Sequence, residues 1–104
     1  MTTDLPTERE RRVMDVLMAL AEGEVTTYGD IADVAGYPKH SRLVGRILRE
    51  TDVDIPWWRV VNASGQLRAS DPDLQSQLLR EEAVIVRNHR VISAPAGRWR
   101  RADS

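Results

Sequence analysis

The hydrophobic positions of this 104-residue chain fall into two textures, and over the first half they recur at helical spacing. Thr7-Glu8-Arg9-Glu10 has the Ser/Thr-x-x-Glu form that satisfies the free amides of a helix N-terminus, and Val13, Val16, Leu17 and Leu20 follow on one face. The spacing predicts a helix from about 8 to 21 that stops near Gly23. A second helix, about two turns long, is predicted after Thr27, with Ile31, Ala32 and Val34 as its apolar face and Gly36 placed to end it. Beyond Tyr37-Pro38-Lys39, His40 or Ser41 is placed to cap a third helix. Val44, Ile47 and Leu48 point one way along it, and Arg42, Arg46 and Arg49 another. Two short helices joined by a Gly-Tyr-Pro turn, the second with Arg on its outer face, read as a helix-turn-helix.

From Asp54 the texture becomes β-branched and aromatic. Ile55-Pro56-Trp57-Trp58-Arg59-Val60-Val61 predicts an extended segment that runs through Asn62-Ala63-Ser64-Gly65 into a small hairpin. On an extended backbone Trp57 and Trp58 face opposite sides, so one can enter the core while the other lines an opening. Asp71-Pro72 predicts a capped helix to about Glu82, with Leu74, Leu78 and Leu79 inward. Residues 83–92 predict a second hairpin centred on Asn88-His89, and Trp99 is placed to pin the tail. The expected fold class is α+β: one domain over residues 1–104, a winged-helix-like helix-turn-helix packed against a short β-hairpin and a C-terminal helix.

Composition narrows the chemistry. With no Cys, disulfides, thiolate metal sites and a cysteine nucleophile are all excluded. His40 and His89 stand apart from each other and from carboxylates at ligand spacing, and no glycine-rich nucleotide loop occurs, so neither a metal nor a cofactor is expected. No apolar run approaches the roughly 20 residues of a membrane span. The N-terminal Met-Thr-Thr-Asp-Leu-Pro lacks a signal-peptide pattern, so a cytoplasmic location without membrane contact is expected. The net charge of −1 hides an asymmetry: residues 36–68 carry six basic and three acidic side chains, whereas residues 1–35 carry three and eight. That basic stretch holds the helix-turn-helix and the tryptophan pair, and a local positive excess of this kind suits a phosphate backbone. Aromatic faces beside Arg are also what an unstacked base requires.

These residues resemble a known family, the O6-alkylguanine-DNA alkyltransferases, and more closely its non-enzymatic alkyltransferase-like branch. The resemblance runs from about Thr7 to Glu82 and rests on two motifs. Val25-Thr26-Thr27-Tyr28-Gly29-Asp30-Ile31-Ala32, with Ala35-Gly36-Tyr37-Pro38-Lys39 and Ser41-Arg42-Leu43-Val44-Gly45, is similar to the family's helix-turn-helix. Ile55-Pro56-Trp57-Trp58-Arg59-Val60-Val61 followed by Ser64-Gly65 is similar to its active-site segment, which in the enzymes reads Pro-Cys-His-Arg-Val. The acceptor Cys position is Trp57 here, and the position of the His that activates it is Trp58. The alkyltransferase-like branch shares the first replacement and often keeps the His, so Trp58 departs even from that pattern. Glu82 matches the enzymes' Glu, and with the His gone it is expected to have nothing to orient and a structural role at most.

The resemblance implies a protein that recognises O6-alkylguanine in double-stranded DNA without alkyl transfer. The recognition helix enters the minor groove, Arg42 occupies the gap left by a flipped base, and Tyr28 rotates the backbone phosphate. Ser41, Gly45 and Arg46 complete the expected DNA contacts. Pro56, Trp57, Arg59 and Arg68 form the expected lesion pocket, with Arg59 also placed to hold the segment through backbone hydrogen bonds and Arg68 to rim it. A nucleotide-excision repair protein is the implied partner, and a monomer is expected. Two rivals use the same residues. A helix-turn-helix transcription regulator leaves Pro56-Trp57-Trp58-Arg59 unexplained, and a transferase with another nucleophile, the chain having no Cys, meets a poor one in Trp.

Overall fold

A computed structural model of the protein describes residues 7–100; the N-terminal hexapeptide considered above for a signal sequence lies outside them. Helix α1 (Glu8–Met18) starts as the capping box requires, with the Thr7 hydroxyl accepting from the Glu10 amide and the Glu10 carboxylate accepting from the Thr7 amide. It ends at Met18, one turn earlier than the periodicity predicts, although Leu20 still joins the core. Strand β1 (Glu24–Thr27) leads directly into α2 (Tyr28–Ala35), which the Thr27 hydroxyl caps. Gly36 closes α2 in the left-handed conformation at φ 93°, which costs glycine nothing because it has no Cβ. Helix α3 (Ser41–Glu50) follows; His40 occupies its N-cap without a side-chain capping bond, its ring nitrogen lying instead 3.2 Å from the Pro38 carbonyl.

Val34 is 73% exposed, against its expected place on the apolar face of α2. Ile31, Ala32 and Ala35 are the buried residues, and at about 100° per residue Val34 lies roughly 110° from the centre of that face. These residues pack with Val13, Leu17, Val44 and Ile47 into a first core cluster that joins α1, α2 and α3.

The second half differs more from expectation. Trp57–Arg59 form a turn of 3₁₀ helix rather than an extended strand. The strand β2 (Val60–Val61) that follows pairs in parallel with β1, Thr26 opposite Val60 and Thr27 opposite Val61, instead of folding back as a hairpin. The Asn62–Gly65 turn does form, with the Asn62 side chain accepting from the amides of Ser64 and Gln66. Aromatic and β-branched composition reports a half-buried pleated environment, and its pairing partner is set by tertiary contacts. Successive β2 residues point to opposite sides: Val60 enters the first cluster and Val61 the second.

Helix α4 (Pro72–Glu81) begins with Asp71 accepting from the Leu74 amide and Pro72 at the first helical position. Its buried residues are Gln75, Ser76 and Leu79; Leu78 is half-buried and Leu74, expected inside, is 40% exposed. The helical period explains this, since Leu74 lies about 140° around the helix from Leu79. Strands β3 (Ile85–Arg87) and β4 (Arg90–Ser93) form the predicted antiparallel hairpin. Its Asn88 and His89 turn residues both have positive φ, the geometry of a tight two-residue hairpin turn. A final strand not foreseen, β5 (Ala96–Gly97), pairs in parallel with β1 to complete a sheet ordered β2-β1-β5. Gly97 is required there, because a Cβ would collide with the Val25 backbone. Val25, Val61, Leu67, Leu79, Val84, Val86 and Val91 form the second cluster, with Trp58 and Trp99 packed against it.

Candidate nucleic-acid interface

An open groove of about 830 Å³ separates α3 from the segment that enters α4. Tyr28 at the start of α2 and Gly45, Leu48 and Arg49 of α3 form one side; Trp57, Arg68, Ala69, Ser70, Asp71 and Leu74 form the other. Its walls are apolar at Leu48, Leu74 and Trp57 and cationic at Arg49 and Arg68. Asp71 contributes the one carboxylate of the lining, and that carboxylate is engaged in capping α4. Burial pushes the Tyr28 phenol pKa up, and the positive charges of Arg68 and Arg49 oppose this without cancelling it. The hydroxyl therefore stays neutral near pH 7 and can both donate and accept.

Of the residues expected from the sequence, Tyr28, Gly45, Trp57 and Arg68 are brought together in this groove. Arg42 is exposed in the first turn of α3, one residue after Ser41, and makes no ion pair among the described residues. Arg46 lies further round the helix from the groove. About 100° per residue sets it roughly 60° from Arg49 and 100° from Gly45, facing α1, where it pairs with Glu10 at 3.3 Å. Hydrogen bonds from the Thr7 backbone and hydroxyl, and to a smaller extent the Arg46 charge, hold the Glu10 carboxyl below its ordinary pKa.

Pro56 and Arg59 are not part of the groove lining. Pro56 opens the 3₁₀ turn. Arg59 is fixed behind it: Nε donates to Glu82 Oε1 at 2.9 Å, Nη2 to Oε2 at 2.7 Å, and Nη1 to the Leu20 carbonyl at 2.8 Å. The backbone anchoring expected of Arg59 is thus present, through Leu20, but its guanidinium serves this clamp and not the groove. Glu82 has the structural role expected of it but, against expectation, does orient other groups. Besides Arg59 it accepts from the Trp58 indole N–H at 2.8 Å and from the Gly23 amide at 2.7 Å. Burial raises the Glu82 carboxyl pKa, but the hydrogen bonds from Arg59, Gly23 and Trp58 outweigh it and the net shift is downward. The carboxylate is charged and its two oxygens share four donor groups, the condition under which a buried charge is tolerated.

Trp57 and Trp58 do face different environments, although a tight turn and not a strand separates them. Their rings meet edge to face at 88° with centroids 6.0 Å apart. Trp58 packs on the second core cluster beneath Arg59, whose guanidinium lies 5.3 Å from its ring centre. Trp57 opens onto the groove. Sequence reasoning missed Leu48, Arg49, Ser70 and Leu74 as groove residues. Arg49 had a readable signal, since it stands four residues after Gly45 on one helical flank; Ser70 and Leu74 arrive by tertiary placement alone.

Comparison with known proteins matches residues 8–84 to the family described as 6-O-methylguanine DNA methyltransferase, DNA binding domain. A DNA base-flipping protein of Escherichia coli K12 is 41% identical over 93 residues, spanning 86% of this chain and 72% of that protein. Alkyltransferase-like protein 1 of Schizosaccharomyces pombe is 33% identical over 81 residues, spanning 72% and 75%. Among solved structures, S. pombe Atl1 in complex with damaged DNA containing O6-carboxymethylguanine superposes with a TM-score of 0.70 at 31% identity, covering 84% of this chain and 83% of that one.

Proposed function

The chain belongs to the 6-O-methylguanine DNA methyltransferase DNA-binding family and, having no Cys to accept an alkyl group, to its non-enzymatic alkyltransferase-like branch, and from that premise we propose that it binds O6-alkylguanine in duplex DNA by extruding the base. The observation that carries this reading is Trp57, an aromatic wall of the groove at the motif position of the enzymes' acceptor Cys.

In this reading α3 docks in the minor groove, Arg42 fills the gap in the base stack, and the target base turns into the groove between Tyr28 and Trp57. Extrusion costs a few kcal/mol, less for a lesion that pairs weakly with cytosine. Stacking on one aromatic ring returns roughly 1–3 kcal/mol, so a ring alone only offsets the cost. Arg42 in the gap and cationic contacts from Arg49 and Arg68 supply the surplus. The captured lesion is held without reaction and passed to a nucleotide-excision repair protein.

The test is binding to a short duplex containing O6-methylguanine against its undamaged counterpart, with mass spectrometry of the protein afterwards. Preference for the lesion duplex and an unchanged protein mass are expected. Equal affinity for both duplexes, or specific binding of an undamaged sequence as a transcription regulator would show, overturns the reading, as does a mass gain of one methyl group.

A further inference from the structure

Trp58 is held far more firmly than the neighbour it touches. Its indole N–H donates to Glu82 at 2.8 Å, its carbonyl accepts from the buried Gln75 amide at 3.1 Å, and Arg59 covers one ring face. Glu82 is itself fixed by Arg59 and by the Gly23 amide at the entrance to β1. The Trp57 indole N–H, by contrast, has no hydrogen-bond partner among the described residues. Backbone hydrogen bonds hold its main chain, from its own amide to the Ile55 carbonyl and from the Val60 amide to its carbonyl. Its ring meets the edge-to-face contact with Trp58 on one side and the open groove on the other.

We propose that Trp58, locked by Glu82, is a positioning residue that sets the orientation of the Trp57 ring and through it the selectivity of the groove for a damaged base. This deepens the lesion-binding reading and rests on it. A flat wall receives an extruded base at full stacking only if its plane is fixed beforehand, because ordering the ring on binding would consume part of the stacking free energy. The edge-to-face contact with Trp58 fixes that plane. The freedom of Trp58 itself is removed by the hydrogen bond to Glu82, which a ring without an N–H cannot make.

The test compares Trp58→Phe and Trp58→His with the unsubstituted protein. Glu82→Gln also touches this lock, but it removes the charge that Arg59 pairs with and so disturbs the clamp together with Trp58. Phe preserves an aromatic ring and deletes the donor; His restores a ring N–H. One readout is the fluorine NMR signal of 5-fluorotryptophan at position 57 in the free protein, identified by its loss in Trp57→Phe. The other is the ratio of affinities for O6-methylguanine duplex over undamaged duplex. With Trp58→Phe the Trp57 signal is expected to broaden or split and the ratio to fall about threefold to tenfold, the range of an edge-to-face aromatic contact, with undamaged-duplex affinity unchanged. Trp58→His is expected to restore most of both. An unaltered Trp57 signal overturns the proposal, as do equal losses on both duplexes, which a merely structural role would give. Should the unsubstituted protein itself fail to prefer the lesion, the lesion-binding reading falls separately, and the Trp57 signal alone decides whether Trp58 positions its neighbour.

Discussion

The two sides of the Trp57–Arg59 turn are built from adjacent residues and do opposite work. Behind the turn, Glu82 and Arg59 are about nine-tenths buried, and each carboxylate oxygen has donors from two different residues or the backbone. In front of it, Trp57 lines an open groove flanked by Arg49 and Arg68. The contrast teaches where binding capacity resides: polar groups already paired inside the protein contribute stability and have little left to offer a ligand, whereas Trp57, Arg49 and Arg68 remain available.

Removing a charge from the rear is the harshest way to test the division. Glu82→Ala leaves Arg59 buried and unpaired and should lower unfolding free energy by about 3–5 kcal/mol in chemical denaturation. A loss under about 1 kcal/mol would mean the clamp behaves like a surface pair. The same carboxylate predicts a pH response. Its folded pKa lies below the ordinary 4.5, so its contribution is complete above the unfolded value and is lost as pH falls through the folded one. Glu82→Gln should therefore flatten the acid limb of a melting-temperature profile while leaving its slope near pH 7 unchanged.

Truncating the front is the milder test. Trp57→Ala should cost about 1–3 kcal/mol of affinity for lesion duplex with little change in melting temperature. A stability loss of about 3–5 kcal/mol, as for a core aromatic, would erase the distinction between the two sides.

The arginines of α3 sharpen the comparison further. Arg42→Ala should weaken lesion binding more than undamaged binding, because in the proposed docking this side chain fills the gap where a base has left the stack. Arg46→Ala, on the Glu10 flank, should affect both duplexes alike and flatten the log–log salt dependence by at most about 0.9. Identical behaviour of the two variants would make Arg42 another phosphate contact. The smallest expected effect is none at all: Trp57→Cys should take up no methyl group in a mass assay, since the Trp58 N–H is committed to Glu82 and an indole cannot accept the thiol proton. A thiol near its ordinary pKa of about 8.5 is mostly protonated at neutral pH.

Local rules carried the first half of the chain. The Thr7 and Thr27 caps, the Gly36 stop and the Val13, Leu17, Val44 and Ile47 positions follow from hydrogen-bonding capacity and a 3.6-residue period, and both are properties of a few neighbouring residues. The helix-turn-helix and the Pro56-Trp57-Trp58-Arg59 motif were legible for the same reason, and so was the absence of any acceptor Cys. What tertiary structure alone decided lies in the second half. The parallel pairing of β1 with β2 and β5 joins segments distant in sequence, and no local pattern encodes such a partner. Leu74 left the core for the groove because Gln75 and Ser76 occupy the buried side of α4, where Gln75 donates to the carbonyls of Trp58 and Val60. Glu82 acquired its function in the same way: its charge demands compensation wherever it is buried, but only the folded chain brings Arg59, Gly23 and Trp58 to it from 23, 59 and 24 residues away.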